Sequence, residues 1–393
     1  MKNFIFISPN FPENYWKFCR ELKNNGLRVL GIGDCPYDML SHRLKASLDE
    51  YYKVSSLENY DEVYRAVAFF AFKYGRIDFL ESNNEYWLER DARLRTDFNI
   101  TSGYLLRQMK AIKYKSEMKK YYKKAGLTVA RHCLVKSLKG CKNFIAKVGY
   151  PVIVKPDNGV GANATYKLKN DGELAEFIKS KPQGYIMEEY IDGLVNSYDA
   201  IVDGNGNPVF ETGLVEMGSL MDTVNENGNS LYYYDGQLAE DIRAAGRKAL
   251  KAFGVKSRFI HFEFFRLSCD QFVGRKGEVV ALEVNMRPAG GISPDMMNYA
   301  NSTDVYKIWA DMIAFDSTLV PVGKKYYCAY AGRRDGKSFA YSEQSVIDRF
   351  GKKMLLVERI PKALSGAMAD LCFLANFDTK EEMFEFFDFA IKE

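Results

Sequence analysis

The residues best suited to chemistry lie in two stretches, at 258–265 and 280–291. The first carries Glu263, and the second carries Glu283, Asn285 and Arg287. β-Branched and aromatic residues dominate both stretches and turn residues separate them, so we predict two strands. Side chains two residues apart on a strand share a face, and a hairpin would bring Glu263 to that face as well. Three hard oxygen ligands would then converge beside a guanidinium, and such ligands suit magnesium together with substrate phosphates.

The same alternation also fits the solvent face of an antiparallel strand. Two observations favour the functional interpretation. The second stretch ends in Arg287-Pro-Ala-Gly-Gly291, and further parts of a nucleotide site lie upstream of both stretches.

A lysine followed by a glycine-containing loop is the first of these upstream parts. The strand Tyr150-Pro-Val-Ile-Val-Lys155 precedes a loop that contains Gly159 and Gly161. Backbone N–H groups of such a loop can bind phosphate oxygens, and the lysine adds a compact positive charge. The loop is not a Walker A motif, because the lysine precedes the glycines.

Two further segments complete the set. The segment 184–191 is a predicted strand that runs into a turn, where backbone groups can contact an adenine edge. Lys115 begins a predicted helix that ends at Gly126.

The order and spacing of these segments resemble the ATP-grasp superfamily, in particular its carboxylate–amine ligases, from about Tyr104 to about Asn298. The resemblance implies that two lysines hold the phosphates, a glycine loop covers them and a hinge binds adenine. The nucleotide-binding residues that it implies are Lys115, Lys155, Gly159, Gly161, Glu188, Glu189, Tyr190 and Ile191. It further implies Glu263, Glu283 and Asn285 as metal ligands and Arg287 as the catalytic residue.

The chemistry that this resemblance implies uses ATP with Mg²⁺ or Mn²⁺. A carboxylate would be phosphorylated to an acyl phosphate, an amine would attack it, and ADP and phosphate would leave. Positioning and charge neutralisation are the main tasks of a protein in phosphoryl transfer. Two alternatives stay open: another ATP-grasp chemistry, of the carbamoyl phosphate or simple phosphorylation type, and a non-catalytic nucleotide-binding regulator.

Two departures from the family pattern stand out. After the hinge, Gly193-Leu-Val-Asn-Ser197 lacks the glutamate that many members place there for ribose. Arg287 is followed by Pro-Ala-Gly-Gly rather than by the Gln-Val-Glu-His stretch of biotin carboxylases, which makes biotin carboxylation an unfavoured chemistry.

Composition excludes several classes of protein. Lys plus Arg number 55 and Asp plus Glu number 51, so the charge is nearly balanced, unlike that of a dedicated nucleic-acid binder. Seven cysteines without a Cys-x-x-Cys pair suggest reduced thiols, and no apolar run is long enough to span a bilayer. We therefore expect a cytoplasmic protein with small-molecule carboxylate and amine partners, no nucleic acid or membrane partner, and a homodimer as the candidate assembly.

The expected fold class is α/β, with an N-terminal parallel domain, an α+β ATP-grasp region and a small C-terminal α/β unit. The boundaries are 1–106, 107–320 with a lid at about 127–190, and 321–393. Strand–helix–strand alternation near the N-terminus indicates the parallel unit. In that unit, 10–15 and 83–84 follow strands, where α/β folds present ligand contacts.

For four smaller features, the sequence predicts one role or leaves two roles open. We expect the basic stretch 107–124 to be a solvated helix face on which Lys115 alone turns to the nucleotide. The stretch 218–236 is equally consistent with a substrate-facing loop and with a surface excursion. His261 shares the metal face and is either structural or a partner of a metal ligand. Arg333 and Arg334 are candidates for binding an acidic substrate, or surface arginines without a specific role.

Overall fold

Three sheets organise residues 1–159, 164–180, 182–218 and 227–393, which are the residues described by this computed structural model. The strands are β1 (Asn3–Ile7), β2 (Arg28–Gly33), β3 (Glu50–Lys53), β4 (Phe79–Glu81), β5 (His132–Leu134), β6 (Val152–Pro156), β7 (Tyr166–Leu168), β8 (Tyr185–Glu189), β9 (Gly193–Val202), β10 (Pro208–Glu216), β11 (Ser230–Asp235), β12 (Arg258–Leu267), β13 (Val279–Asn285), β14 (Tyr327–Arg333), β15 (Met354–Arg359) and β16 (Leu371–Phe377). The α-helices are α1 (Trp16–Asn24), α2 (His42–Ser47), α3 (Tyr60–Tyr74), α4 (Leu88–Asp97), α5 (Met109–Lys113), α6 (Lys115–Lys124), α7 (Leu138–Val148), α8 (Asp171–Lys179), α9 (Glu240–Phe253), α10 (Ser293–Asn301), α11 (Val305–Phe315), α12 (Glu343–Phe350), α13 (Lys362–Met368) and α14 (Lys380–Ala390).

The N-terminal sheet is parallel and has the strand order β3-β2-β1-β4. β1 is buried along its whole length, as expected for a strand covered by helices on both faces. β2 lies on one side of β1 and β4 lies on the other, so the chain connections run in opposite directions from β1. A crevice therefore opens at the carboxyl ends of β1 and β4. Ligands bind at such switch points in open α/β sheets.

A small antiparallel sheet, ordered β5-β8-β6-β7, carries the lysine strand and the hinge strand. Its strands lie within the range 127–190. One face is covered by α7 and α8, whose buried residues Cys141, Ile145 and Leu174 pack against Val152 and Met187. Ser137 and Asn170 cap the N-termini of these helices with their side chains, which fixes where each helix begins.

An eight-stranded sheet, ordered β13-β12-β9-β10-β11-β14-β16-β15, forms the rest of the framework. All of its pairings are antiparallel. The strands after residue 320 extend the same sheet that contains the predicted metal strands. The C-terminal segment therefore shares one continuous sheet with the central region.

The stretch 218–236 differs from the sequence expectation of one irregular loop. Ser230–Asp235 forms β11 in the middle of the large sheet, between β10 and β14. Tyr232 stacks on Tyr330 with ring centroids 4.5 Å apart, while Tyr233 joins the core on the opposite face. Because both faces are covered, the strand lacks the polar alternation that would have revealed it. The first half of the predicted loop, 219–226, lies outside the described residues.

Arg333 and Arg334 are not available to an acidic substrate, because both are 5% exposed and bind carbonyl groups of the protein itself. Arg333 Nε donates to the carbonyl of Ala390. Arg334 donates from Nε to Gly228 and from its terminal nitrogens to the carbonyls of Ser365 and Gly366. Arg334 therefore joins the end of α13 to the residues before β11.

Among the described residues, there is no helix of the length and apolarity required to cross a membrane.

Candidate active site

The predicted metal ligands occupy one face of a hairpin. β12 pairs with β13, with Glu263 opposite Glu283 and His261 opposite Asn285. Residues that face each other across an antiparallel pair point to the same side of the sheet. The convergence of Glu263, Glu283 and Asn285 that we predicted from the sequence is therefore present in the structure.

Lys115 lies directly against this face. Its Nζ is 3.0 Å from Glu283 Oε1 and donates to the carbonyl of Gly159 at 3.2 Å. The side chain is only 4% exposed. Burial alone would lower the pKa of Lys115, but Glu283 outweighs burial and raises it, so the lysine keeps its charge. A buried ammonium thus connects the predicted metal face to the glycine loop.

Glu188 is flanked by two lysines. Lys119 Nζ lies 2.9 Å from one carboxylate oxygen and Lys155 Nζ lies 3.0 Å from the other. Burial would raise the pKa of Glu188, but the two ammonium groups lower it to about 2. The expectation that Lys115 alone turns inward on this helix was wrong, since Lys119 is 1% exposed. The sequence did contain a signal for the burial of Lys119, because residues four apart share a helix face and Lys119 follows Lys115 by four.

His261 connects Glu263 to a buried aspartate. Its Nδ1 lies 2.7 Å from Asp199 Oδ1 and its Nε2 lies 3.0 Å from Glu263 Oε1. Burial disfavours the imidazolium, but the two carboxylates outweigh burial and raise the pKa of His261 to about 10. His261 therefore donates from both ring nitrogens and fixes the orientation of a predicted metal ligand. Of the two roles considered for His261, the contact with Glu263 fits that of a partner of a predicted metal ligand.

The predicted adenine hinge presents backbone rather than side chains. The carboxylate of Glu189 accepts from the backbone N–H and the guanidinium of Arg131, with Oε1 2.6 Å from the amide nitrogen. Ile191 is 6% exposed. No partner within the described ranges bonds to the N–H or the carbonyl of Tyr190 or Ile191. Backbone groups that lack a partner in this way can bind an adenine edge.

The glycine loop is described only in part. Asp157 accepts from the backbone N–H and the hydroxyl of Ser116, which ties the start of the loop to α6. The carbonyl of Gly159 meets Lys115. Gly161, which we also predicted to bind the nucleotide, lies outside the described residues.

Arg287 stands where the N-terminal crevice meets the metal face. Its guanidinium lies 3.6 Å from Glu85 Oε2 and donates to Asn285 Oδ1 at 3.3 Å. Glu85 follows β4 and is held at 2.7 Å by the buried Lys113. In the described chain, four buried atoms of the crevice have no hydrogen-bond partner: Asn10 Oδ1, Asn14 Oδ1, Asn83 Nδ2 and Glu85 Oε2. A buried polar atom without a partner is costly, and a water molecule, an ion or a ligand can complete it.

The donor set suits a hard cation. Within the described ranges, no group of three His, Cys, Asp or Glu side chains is placed to hold a metal by itself. Two carboxylates and one amide oxygen instead share a face with lysines close by. Magnesium is usually held by one or two carboxylates plus substrate phosphates, so the residues fit Mg²⁺ better than a cage-forming metal such as zinc.

Comparison with known proteins agrees with this geometry. Residues 115–291 match the family model of the ATP-grasp domain, a range that begins at Lys115 and ends just after Arg287. These residues are therefore similar to an ATP-grasp domain, as the sequence resemblance predicted.

Solved structures match over nearly the whole chain. The L-amino acid ligase from Bacillus licheniformis has a TM-score of 0.70 at 17% identity, covering 98% of this chain and 96% of that one. The N5-carboxyaminoimidazole synthetase from Staphylococcus aureus has a TM-score of 0.69 at 15% identity, covering 98% and 97%. The predicted fold class, a parallel N-terminal unit followed by an antiparallel ATP-grasp sheet, is confirmed.

Curated relatives match over shorter ranges. The carbamoyl phosphate synthase large chain of Caldanaerobacter subterraneus is 25% identical over 199 residues, or 48% of this chain. That range is 17% of the relative's own length.

Proposed function

We propose that the protein is an ADP-forming ligase that uses ATP to join a carboxylate to an amine through an acyl phosphate. The observation that carries this proposal is the contact of Lys115 with Glu283, beside Glu263 and Asn285. In this proposal, the cation that binds phosphate lies next to the side chains that hold magnesium. This arrangement is what transfer of a γ-phosphoryl group requires.

In this proposal each residue has a stated task. Lys115 and Lys155 bind the phosphates, the loop that includes Gly159 and Gly161 covers them, and the hinge Glu188–Ile191 binds adenine through its backbone. Glu263, Glu283 and Asn285 hold Mg²⁺ or Mn²⁺, which when bound neutralises charge on the transferring phosphoryl group. Arg287 stabilises the acyl phosphate and the tetrahedral intermediate. Binding of the nucleotide would replace the present contacts of the two lysines with Glu283 and Glu188.

The carboxylate substrate fits the crevice in front of Arg287. Asn83 Nδ2 is a buried donor without a hydrogen-bond partner among the described residues, and Arg287, next to Glu85, supplies a guanidinium. Both groups can bind carboxylate oxygens. The fold supports this placement, because the crevice lies at the carboxyl ends of β1 and β4.

A second candidate is chemistry of the carbamoyl phosphate type, which the match to carbamoyl phosphate synthase large chains favours. The two candidates differ in the carboxylate and in the nitrogen source. ATP consumption that depends on bicarbonate and ammonia, with no other carboxylate present, would indicate the second. The homodimer and the cytoplasmic location stay predictions, which light scattering and cell fractionation would test.

The first test traps the acyl phosphate with hydroxylamine. The protein is incubated with Mg–ATP, hydroxylamine and pools of amino acids and other carboxylates, and both hydroxamate and ADP are measured. We expect a carboxylate-dependent hydroxamate that the Glu283→Ala variant does not form. As a control, Glu385→Ala removes a surface carboxylate that pairs with Arg349 and should keep the activity. A protein that neither binds ATP nor forms hydroxamate would contradict the proposed function.

A further inference from the structure

The turn between β12 and β13 lies against the predicted adenine hinge. Gln271, in this turn, makes two hydrogen bonds to the backbone of Asp192, the residue that follows the hinge. Its Oε1 accepts from the Asp192 N–H at 2.9 Å, and its Nε2 donates to the Asp192 carbonyl at 2.6 Å. A primary amide carries both a donor and an acceptor, so one side chain binds both backbone groups of a single residue.

Gln271 is itself held in place. Its backbone exchanges two hydrogen bonds with Gly274, at 2.8 Å and 3.1 Å, which close a tight turn. Next to this turn, Ile191 of the hinge belongs to the apolar cluster that contains Leu267 of β12 and Val280 of β13. The turn and the hinge therefore pack together as one unit.

The contact with the Asp192 N–H fixes the direction of the Ile191 carbonyl. These two groups belong to the same peptide bond, which is planar and trans, so they point in opposite directions. With Gln271 on the N–H side, the carbonyl of Ile191 points away from the turn. In the part of the chain that the structure describes, nothing donates to this carbonyl, so it is available to a ligand.

The other end of the hinge is held by the next residue of the same turn. The Phe272 ring is 80% exposed and lies over the guanidinium of Arg131, whose central carbon is 3.7 Å from the ring centroid. Arg131 in turn donates from Nε and Nη2 to Glu189, at 2.8 Å and 2.6 Å. Gln271 and Phe272 therefore hold the chain on both sides of residues 190–191.

On the basis of the proposed ligase function, we infer that Gln271 is a positioning residue for the nucleotide, which holds the Ile191 carbonyl in the direction that accepts from the adenine amino group. Guanine carries an acceptor oxygen in place of that amino group, so a carbonyl fixed in this direction repels it. A carbonyl that is fixed before the ligand arrives needs no ordering on binding. Gln271 thereby adds affinity for ATP and discrimination against GTP by acting through the hinge.

The test is the variant Gln271→Met, which keeps the length of the side chain and removes both hydrogen bonds. Titration calorimetry gives the dissociation constant of Mg–ATP, and competition with Mg–ATP gives that of Mg–GTP. We expect the affinity for Mg–ATP to fall by about tenfold, roughly the worth of one net hydrogen bond, and that for Mg–GTP to change by less than about twofold. The ratio of the two affinities is a readout that a general loss of structure would not move.

A second variant tests the other end of the hinge, and a third is the control. Phe272→Ala removes the ring from Arg131, and we expect a smaller loss of Mg–ATP affinity, about threefold, because an exposed cation–π contact is weak. Gln344→Met is the same substitution on α12, where Gln344 is exposed and donates to Asp348. This control should keep both affinities.

Three outcomes would overturn the inference. Unchanged Mg–ATP affinity in Gln271→Met would remove any role in nucleotide binding. A parallel loss of affinity for both nucleotides would show that the substitution acts on the phosphate site or on the fold as a whole. A wild-type protein that binds Mg–ATP and Mg–GTP equally would contradict a carbonyl directed at the amino group. A wild-type protein that binds no Mg–ATP at all is distinguishable from all three, because it would refute the proposed ligase function itself.

Discussion

Several charged side chains of this protein are buried in groups of two or three, so each ionised group is stabilised by the opposite charges beside it. Glu188 is the clearest case, because both of its carboxylate oxygens meet a buried lysine. In the described part of the chain, Lys119 pairs with Glu188 alone. Loss of one partner of a buried pair costs far more than loss of a surface pair, since a charge is left without compensation.

We expect Glu188→Gln to lower the free energy of unfolding near neutral pH by about 3 kcal/mol, because Lys119 and Lys155 lose their counterion. The pKa of Glu188 is lowered to about 2 in the folded state, below its ordinary value of about 4.3. The carboxylate therefore stabilises the fold at pH values above its ordinary pKa. This stabilisation is lost as the pH falls toward 2. Urea denaturation of both proteins between neutral and acidic pH measures the difference.

The control for this prediction is Glu117→Gln, which removes a half-buried carboxylate that pairs with the exposed Lys120 three residues along the same helix. It should change stability little at any pH. The difference in the free energy of unfolding between wild type and Glu188→Gln should become smaller at acidic pH. A constant difference would contradict the assigned ion pairs.

At the scale of elements, close helix–sheet packing positions the strands that carry the site. Helix α9 lies against β9 at Gly246, where a Cβ would come within 2.1 Å of the Tyr198 ring. Tyr198 is fully buried, and its hydroxyl donates to Glu211, so the ring has no room to move. β9 in turn carries Asp199, which holds His261.

We expect Gly246→Ala to lower the free energy of unfolding by about 1–3 kcal/mol through overpacking, even though alanine favours helix. Gly366→Ala is the matched control, because Gly366 also lies in a helix and a Cβ added there would meet nothing within 4 Å. The free energy of unfolding of that variant should be higher by roughly 0.4–1 kcal/mol, because alanine restricts the unfolded chain more than glycine does. The midpoints of thermal unfolding of the two variants are compared with that of the wild type. Equal shifts of the midpoint would refute the assigned packing.

The sequence revealed elements whose signals are local. The hairpin with Glu263 and Glu283 has turn residues between its two strands, and it was predicted correctly. β11 was missed because its tyrosines are buried on both faces.

Candidate site residues show the same difference. Glu283, Asn285 and Arg287 could be proposed from the sequence because they lie on one short strand and its continuation. Asp199 could not, since only the pairing of the strands shows that it faces the predicted metal ligands. Contacts between distant strands have no local sequence signal.

At the scale of the whole molecule, a buried charge network joins the N-terminal sheet to the large sheet. Glu81, at the end of β4, accepts from Arg95 Nη1 at 3.0 Å and from Arg258 Nη2 at 2.6 Å. Arg258 begins β12, which carries His261 and Glu263. The crevice of the N-terminal unit is thereby held at a fixed position relative to the predicted metal face.

We expect Glu81→Gln to destabilise the protein by roughly 3–5 kcal/mol, because two buried guanidinium groups lose their shared carboxylate. Chemical denaturation measures this effect, with Glu385→Gln at the surface as the control that should behave like wild type. A loss no larger than that of the control would show that the two sheets are held together by apolar packing alone.

The strand order of the large sheet has a consequence for synthesis on the ribosome. β11 is made well before β14, yet it pairs with β14 on one side and with β10 on the other. Until β14 is made, the nascent chain carries β11 as an open strand edge, a template for unwanted pairing. Completion of the central sheet therefore has to await the synthesis of β14, and until then the nascent chain exposes a strand edge that favours aggregation.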